Sequence, residues 1–180
     1  MRTSYRVYQD CDYYFVTCTI TDWCEIFWSD KYCTIIISSL QYCRKVKGLY
    51  LYYYVIMPDH IHMIISSESY NISAILRDFK RYTSKKISSL LKEDRSFEIL
   101  SRFSKAANRT IDNNRYRVWQ EGFHPKAIVS EPMLNQKIEY IHLNPVKKRF
   151  VKEPEDWKYS SARNIYLKDN SIIELDEIGM

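Results

Sequence analysis

The chain has 180 residues, 46% of them apolar, and a formal net charge of +5 from 27 Lys+Arg against 22 Asp+Glu. These figures exclude a disordered chain and predict one domain with one core across residues 1–180; the mild basic excess is compatible with a polyanionic partner but does not identify one. No run of ~18 apolar residues occurs, which excludes a helical membrane span, and the first ten residues hold no apolar signal segment, so a cytosolic chain is expected.

Tyr13–Asp22 alternates β-formers and predicts a first strand. Asp30–Gly48 predicts a helix, with Asp30 as its cap, Ile35, Ser38, Ser39 and Tyr42 along one stripe, and Gly48 as its stop. Leu49–Met57 is a second strand, Pro58-Asp59 a turn and His60–Ser66 a third strand, together a hairpin. Asn71–Asp94 has Ile72, Ile75, Leu76, Phe79, Ile87, Leu90 and Leu91 at helical spacing, with Arg77, Lys80, Arg81, Lys85 and Lys86 on another face. Residues 96–117 are polar and poorly patterned, so a loop is expected, and a short strand is expected within 118–129. Glu131–Asn144 predicts a helix stopped by Pro145, because proline disfavours helix at the residue before it. Residues 157–166 read as a short helix or turn, the tail 164–180 as peripheral, and residues 171–180 within it as an added edge strand or a segment docked elsewhere. All five cysteines lie within the first 43 residues with no Cys-x-x-Cys spacing, which predicts reduced structural thiols.

Two of only four histidines, His60 and His62, stand two residues apart in an apolar run. Strand side chains alternate, so these two share a face, about 6–7 Å apart at Cα, while Ile61 and Met63 face the other way. Two imidazoles so placed can share a divalent ion, or can be two hydrogen-bonded histidines with no such role. Downstream, Tyr140 and Asn144 are four apart and stack on one helix face. An amide oxygen suits Mg2+ or Mn2+, and a phenol is a nucleophile; on spacing alone, a core tyrosine and a polar helix-end asparagine are the favoured reading. His142 falls about 200° round the helix from Tyr140 and reads as a neighbour rather than a ligand.

The strings VIMPDHIHMII, VWQEGF and KIEYIHLNPVKKRFVKEPEDWKYSSA, in that order, with Asp78-Phe79-Lys80-Arg81-Tyr82-Thr83 between the first two, resemble the single-tyrosine HUH transposases. The similarity is strongest to the REP-associated tyrosine transposases, relatives of the insertion-sequence-200-like enzymes, and runs from the first strand to about Arg163. It implies a ferredoxin-like α+β domain whose central antiparallel sheet carries the histidines. It implies that His60 and His62 bind a catalytic metal, Mg2+ or Mn2+, with Asn144 as a third ligand, and that Tyr140 is the nucleophile. The implied reaction is cleavage and rejoining of single-stranded or hairpin DNA through a 5′-phosphotyrosine, in a prokaryotic cytoplasm at the nucleoid. It leaves two assemblies open, a homodimer that exchanges the tyrosine helix and a chain acting alone, with the homodimer favoured. One departure is plain: the family often has Ala-Gly-Leu after Asn-Pro-Val-Lys, where this chain has Lys148-Arg149-Phe150. The missing glycine bears on the turn after the helix, and Lys147, Lys148 and Arg149 add charge near the site.

Other residues suit nucleic acid. Arg77, Lys80, Arg81, Lys85 and Lys86 can contact phosphates or form an ordinary solvated face. Trp119, Phe123 and Tyr116 interleave with Arg115, Arg117 and Lys126, a pattern that suits unpaired bases, though Trp119 equally suits a core; Trp157 and Tyr159 are assigned to packing. Two competing functions remain: a DNA-binding protein of the same fold that has lost cleavage, and an unrelated His-x-His metal hydrolase with a water nucleophile.

Overall fold

The protein is described by a computed structural model that covers residues 13–69, 71–107, 115–122 and 125–178. In chain order the elements are β1 (Tyr13–Thr19), α1 (Asp30–Lys47), β2 (Leu49–Ile56), β3 (His60–Ser67), α2 (Ile72–Glu93), α3 (Phe97–Ala107), β4 (Lys126–Ile128) and α4 (Glu131–Lys147). The four strands form one antiparallel sheet in the order β2-β3-β1-β4. A β-α-β-β-α-β chain with that order is the ferredoxin-like arrangement, here with α3 inserted before β4 and α4 added after it.

The period-two pattern of the strands divides the core into two. Tyr14, Val16 and Cys18 of β1 and Ile61, Met63 and Ile65 of β3 pack with α1, α2 and α3. Phe15, Val55 and Ile64 face the other way, toward Ile141 of α4. Because both faces are covered, β3 is buried along nearly its whole length. In β2 the register slips between Leu51 and Tyr53, a bulge that lets Leu51 and Tyr54 serve the same face.

Several elements depart from the sequence expectations. In α1, Ser29 takes the N-cap position and Asp30 is the first helical residue. The buried stripe of α1 is Tyr32, Cys33, Ile36, Ile37, Leu40 and Cys43, with Ser39; Tyr42 and Ser38 are exposed. The run Thr34–Ile37 is helical despite its β-branching because that stripe buries two of its three isoleucines. Residues 96–117 are not one loop: Phe97–Ala107 form α3, which buries Leu100, Phe103 and Ala107 at spacings of three and four. Helix α4 does not stop at Asn144 but continues through Pro145 to Lys147. Its C-terminus closes with Phe150 N–H on the Pro145 carbonyl at 3.0 Å and Arg149 N–H on the Val146 carbonyl at 2.8 Å. This Schellman closure uses the proline's carbonyl and never needs its missing N–H. Arg149 occupies a left-handed position, φ 61°, a conformation that glycine adopts most readily.

The tail docks on β2, at the sheet edge. Asp176 accepts Leu51 N–H at 2.7 Å and both ends of the Arg44 guanidinium, and its own N–H reaches the Leu51 carbonyl. Further along, Ile56 N–H bonds the Tyr159 carbonyl and Tyr54 N–H bonds Ser161 Oγ. The edge is thereby closed to further strands. Cys18, Cys24, Cys33 and Cys43 are free and buried; Cys11 lies outside the described residues. None of the described helices is long and apolar enough to cross a membrane.

Candidate active site

The β2–β3 hairpin is tight, with Met57 N–H on the His60 carbonyl at 2.8 Å, and it starts β3 at His60. Register then sets the surroundings: Thr19 lies opposite His60, and Thr17 on β1 and Val55 on β2 lie opposite His62. The two imidazole rings are 4.5 Å apart between centroids. Asp59 Oδ1 meets His60 Nδ1 at 2.5 Å. A carboxylate only accepts, so Nδ1 carries the hydrogen, and in the neutral ring Nε2 keeps its lone pair. Thr17 Oγ1 meets His62 Nδ1 at 2.8 Å. His62 is 5% exposed, and its Nε2 is buried with no hydrogen-bond partner among the described residues. Burial first, then the neighbouring His60 and Lys137, pushes the His62 pKa down to about 3. His62 is therefore a neutral imidazole at ordinary pH, the form that binds metal.

Helix α4 crosses the sheet face that carries this pair. Ser130 caps it by accepting Met133 N–H, and Ile141 is buried against the sheet. The Tyr140 ring lies 5.0 Å from the His62 ring and 5.9 Å from the Phe15 ring, both edge-on, and 41% of Tyr140 is exposed. One turn on, Asn144 is buried. Lys137, one turn before Tyr140, holds its ammonium 5.2 Å from the Phe15 ring centroid. His142 points elsewhere: Nε2 bonds Ser161 Oγ at 3.0 Å and its ring meets the edges of Tyr53 and Tyr166.

The donor set fits a divalent ion. An unpartnered buried nitrogen beside a second imidazole with a free lone pair is costly unless something binds it. Among the described residues no group of three or more His, Cys, Asp or Glu could hold a metal. His60 and His62 are the residues that could hold such an ion, and Asn144 is buried one turn beyond Tyr140 on α4. Sequence reasoning missed Thr17, Asp59 and Lys137. Thr17 could be found only through strand register, Asp59 was read as turn chemistry, and Lys137 was detectable by its i, i+3 relation to Tyr140.

The basic residues gather in two places. Arg77, Lys80, Arg81 and Lys85 of α2 form one wall of a groove of about 860 Å3, and Arg115 and Arg117 form part of the other. Gln120 N–H bonds the carbonyl of Thr19, the residue opposite His60, so the second wall joins β1 at the histidine end of the sheet. Arg77 and Arg81 share Asp78, Lys80 donates to the Gly122 carbonyl, and Arg117 pairs with Glu121; such surface pairs hold these cations only weakly. Lys86 is not in that wall; its ammonium lies over the Tyr82 ring. Trp119 is a correction: it is 4% exposed, its ring is 6.1 Å from those of Phe27 and Phe79, and its indole N–H bonds Thr83 Oγ1 at 2.9 Å. The buried hydroxyl satisfies the indole and makes Trp119 a core residue, unavailable for stacking on bases. Tyr116 is half-buried with Lys92 and Arg115 over its ring; Lys126 is exposed on β4, and Phe123 lies outside the described residues. Lys147, Lys148 and Arg149 are exposed at the end of α4.

Residues 9–144 match the family described as Transposase IS200 like, a span that includes both histidines and Tyr140 and ends at Asn144. The chain belongs to the IS200-like transposase family. A Haemophilus influenzae protein with the provisional name REP-associated tyrosine transposase is 31% identical over 115 residues, covering 59% of this chain and 54% of the relative. The chain thus spans about half the length of that relative. Among solved structures, a REP-associated tyrosine transposase bound to a REP hairpin superposes with a TM-score of 0.64 at 19% identity, covering 100% of this chain and 93% of the other. A provisionally named transposase of Deinococcus radiodurans covers 78% of this chain and 95% of its own at 16% identity, with a TM-score of 0.47. The ferredoxin-like α+β expectation and the transposase resemblance both stand.

Proposed function

We propose that this IS200-like chain is a metal-dependent endonuclease and strand-transferase that cuts and rejoins single-stranded DNA next to folded, hairpin ends. The observation that carries this reading is the half-exposed Tyr140 phenol 5.0 Å, ring to ring, from His62 of its own chain. Tyr140 Oη attacks phosphorus, the bond from phosphorus to the 3′ oxygen breaks, and that oxygen leaves as a hydroxyl after taking up a proton. The strand is then held as a 5′-phosphotyrosine, whose energy is that of the broken phosphodiester, so a later 3′-hydroxyl can reverse the step and join strands. A free phenol has a pKa of about 10 and needs help to lose its proton. Lys137, one turn away on α4, adds positive charge to the same side. Mg2+ or Mn2+ held by His60, His62 and Asn144 would polarise a non-bridging phosphate oxygen and offset its charge.

The relative solved with a REP hairpin supports hairpin DNA as the partner here. The groove of Arg77, Lys80, Arg81, Lys85, Arg115 and Arg117 supports phosphate contact without base reading. The test is incubation with labelled hairpin DNA carrying single-stranded flanks and Mg2+ or Mn2+, followed by denaturing electrophoresis. A protein–DNA adduct is expected from the native chain and none from Tyr140→Phe, which should still bind the DNA. An adduct that survives Tyr140→Phe, or cleavage with no adduct, would overturn the reading.

A further inference from the structure

Three aromatic rings meet on the surface beside the histidine hairpin. Trp28 is 53% exposed and Phe150 37% exposed. Trp28 lies 4.9 Å from Phe150 and 5.9 Å from Trp157, both edge-on, and Phe150 stacks on Trp157 at 5.6 Å. The rings come from three separate places in the chain, and each is held. Trp28 Nε1 donates to Glu25 Oε2 at 3.0 Å, and its neighbour Phe27 bonds the Pro58 carbonyl through N–H. Trp157 Nε1 donates to the Ile56 carbonyl at 2.8 Å. Phe150 follows directly on the Schellman turn of α4.

The position is specific. Ile56 and Pro58 flank Met57, which is joined to His60 across the hairpin, and Trp157 packs against the cluster on the sheet face that carries Phe15 and α4. The trio therefore adjoins the β2–β3 turn, while the basic groove joins β1 at Thr19, on the other side of His60. Lys147, Lys148 and Arg149 border the trio in sequence, and none of them pairs with a carboxylate among the described residues. Carboxylates are present too, at Glu25 and on the turn Pro154–Asp156, so net charge alone does not define the patch. An exposed cluster of large rings on a single domain marks a binding surface, and aromatic faces next to cations suit unpaired bases.

We infer that Trp28, Phe150 and Trp157 form a stacking platform for a base of the single-stranded DNA flanking the cut phosphate. The inference rests on the reading of Tyr140 and the histidine pair as a DNA-cleaving site. A strand held at Tyr140 lies on the sheet face against which Trp157 also packs, so a flanking base reaches the trio there, beside Lys147, Lys148 and Arg149. Trp28, the most exposed ring, supplies the contact face, and Phe150 and Trp157 hold it in place.

The test is equilibrium binding, by fluorescence anisotropy, of a labelled 12-residue oligothymidylate and of an abasic strand of equal length. Stacking contributes about 1–3 kcal/mol per base, a change of about 5- to 150-fold in affinity. Trp28→Ala should weaken oligothymidylate binding by that factor and Trp28→Phe by much less. The abasic strand should bind both the native protein and Trp28→Ala equally weakly. Equal native affinity for the two strands, no binding of either, or equal oligothymidylate affinity in Trp28→Ala and the native protein would overturn the platform. So would sedimentation showing that Trp28→Ala converts a native dimer to monomers, which would make the trio a contact between copies. The two readings fail separately: loss of the Tyr140 adduct assay leaves the base-dependent difference in binding readable on its own.

Discussion

Replacing Thr17 by Val tests how the histidine pair is organised. The hydroxyl meets His62 Nδ1 at 2.8 Å from the directly opposite position on β1, and His62 Nε2 already has no partner among the described residues. Valine matches threonine in shape and favours strands, so the change leaves one imidazole with both nitrogens buried and unpaired. A buried unsatisfied polar group costs about 1–3 kcal/mol, and the added methyl returns up to about 0.8 kcal/mol. The expected net loss is about 1–2 kcal/mol, read as a lower urea midpoint at unchanged m-value. The second readout is metal. Removing a partner that orients a ligating histidine lowers metal affinity about 10- to 100-fold, measurable from the electron paramagnetic resonance of free Mn2+ during titration. Thr17→Ser should keep both properties. If Thr17→Val binds Mn2+ like the native protein and unfolds at the same urea concentration, the hydroxyl orients nothing and the reasoning fails.

Two further outcomes follow from the same structure. Arg149→Gly should stabilise the fold by about 0.5–1 kcal/mol, because φ 61° strains any residue with a Cβ and the Schellman bonds need only backbone; a lower thermal midpoint would contradict this. Burial holds His142 down at about 4. Since the unfolded chain binds that proton near pH 6.5, stability is full above about 6.5 and falls as pH drops toward 4, by up to about 1.4 kcal/mol per pH unit. His142→Gln should flatten that limb of a urea-midpoint profile against pH, and an unchanged limb would assign the acid sensitivity to other groups.

What could be read from sequence was what depends on short spacing. The hairpin was legible because Pro58-Asp59 splits two β-rich runs, and period two alone puts His60 and His62 on one face. Tyr140 and Asn144 were legible as an i, i+4 pair. Relations across the sheet were not. Thr17 and His62 are 45 residues apart and meet only through the β1–β3 register. Trp119 and Thr83 are 36 apart, so nothing local showed that the indole had a buried partner. Helix α3 was legible and overlooked: Leu100, Phe103 and Ala107 recur at spacings of three and four, with Ser101, Arg102, Ser104 and Lys105 off that stripe. The Pro145 rule misled because it is a bias on the residue before proline and not a bar: Asn144 stays helical here, and the Schellman closure satisfies the carbonyls of Pro145 and Val146. Trp28 and Phe150, assigned no role from sequence, became informative only once the fold brought both against Trp157 and each other.

The placement of α4 also bears on whether the tyrosine serves its own histidines or those of a second copy. Exchange between copies requires the helix to leave its sheet. Only Val129 and Ser130 link it to β4. Beyond it, the chain returns to β2 through the Tyr159 carbonyl, Ser161 and Asp176, and His142 is bonded to that returning segment at Ser161. Removing α4 would therefore strip residues 150–178 from the sheet edge, expose the fully buried Ile141 at about 1.5–3 kcal/mol, and free the Asp176–Arg44 pair. Under the proposed function, a helix so tethered would serve the histidines of its own chain, with the phenol already positioned and no second copy needed. Mixing Tyr140→Phe with His62→Ala should accordingly give no more DNA adduct than either variant alone. Recovery of adduct on mixing would mean that the helix exchanges despite its tethers.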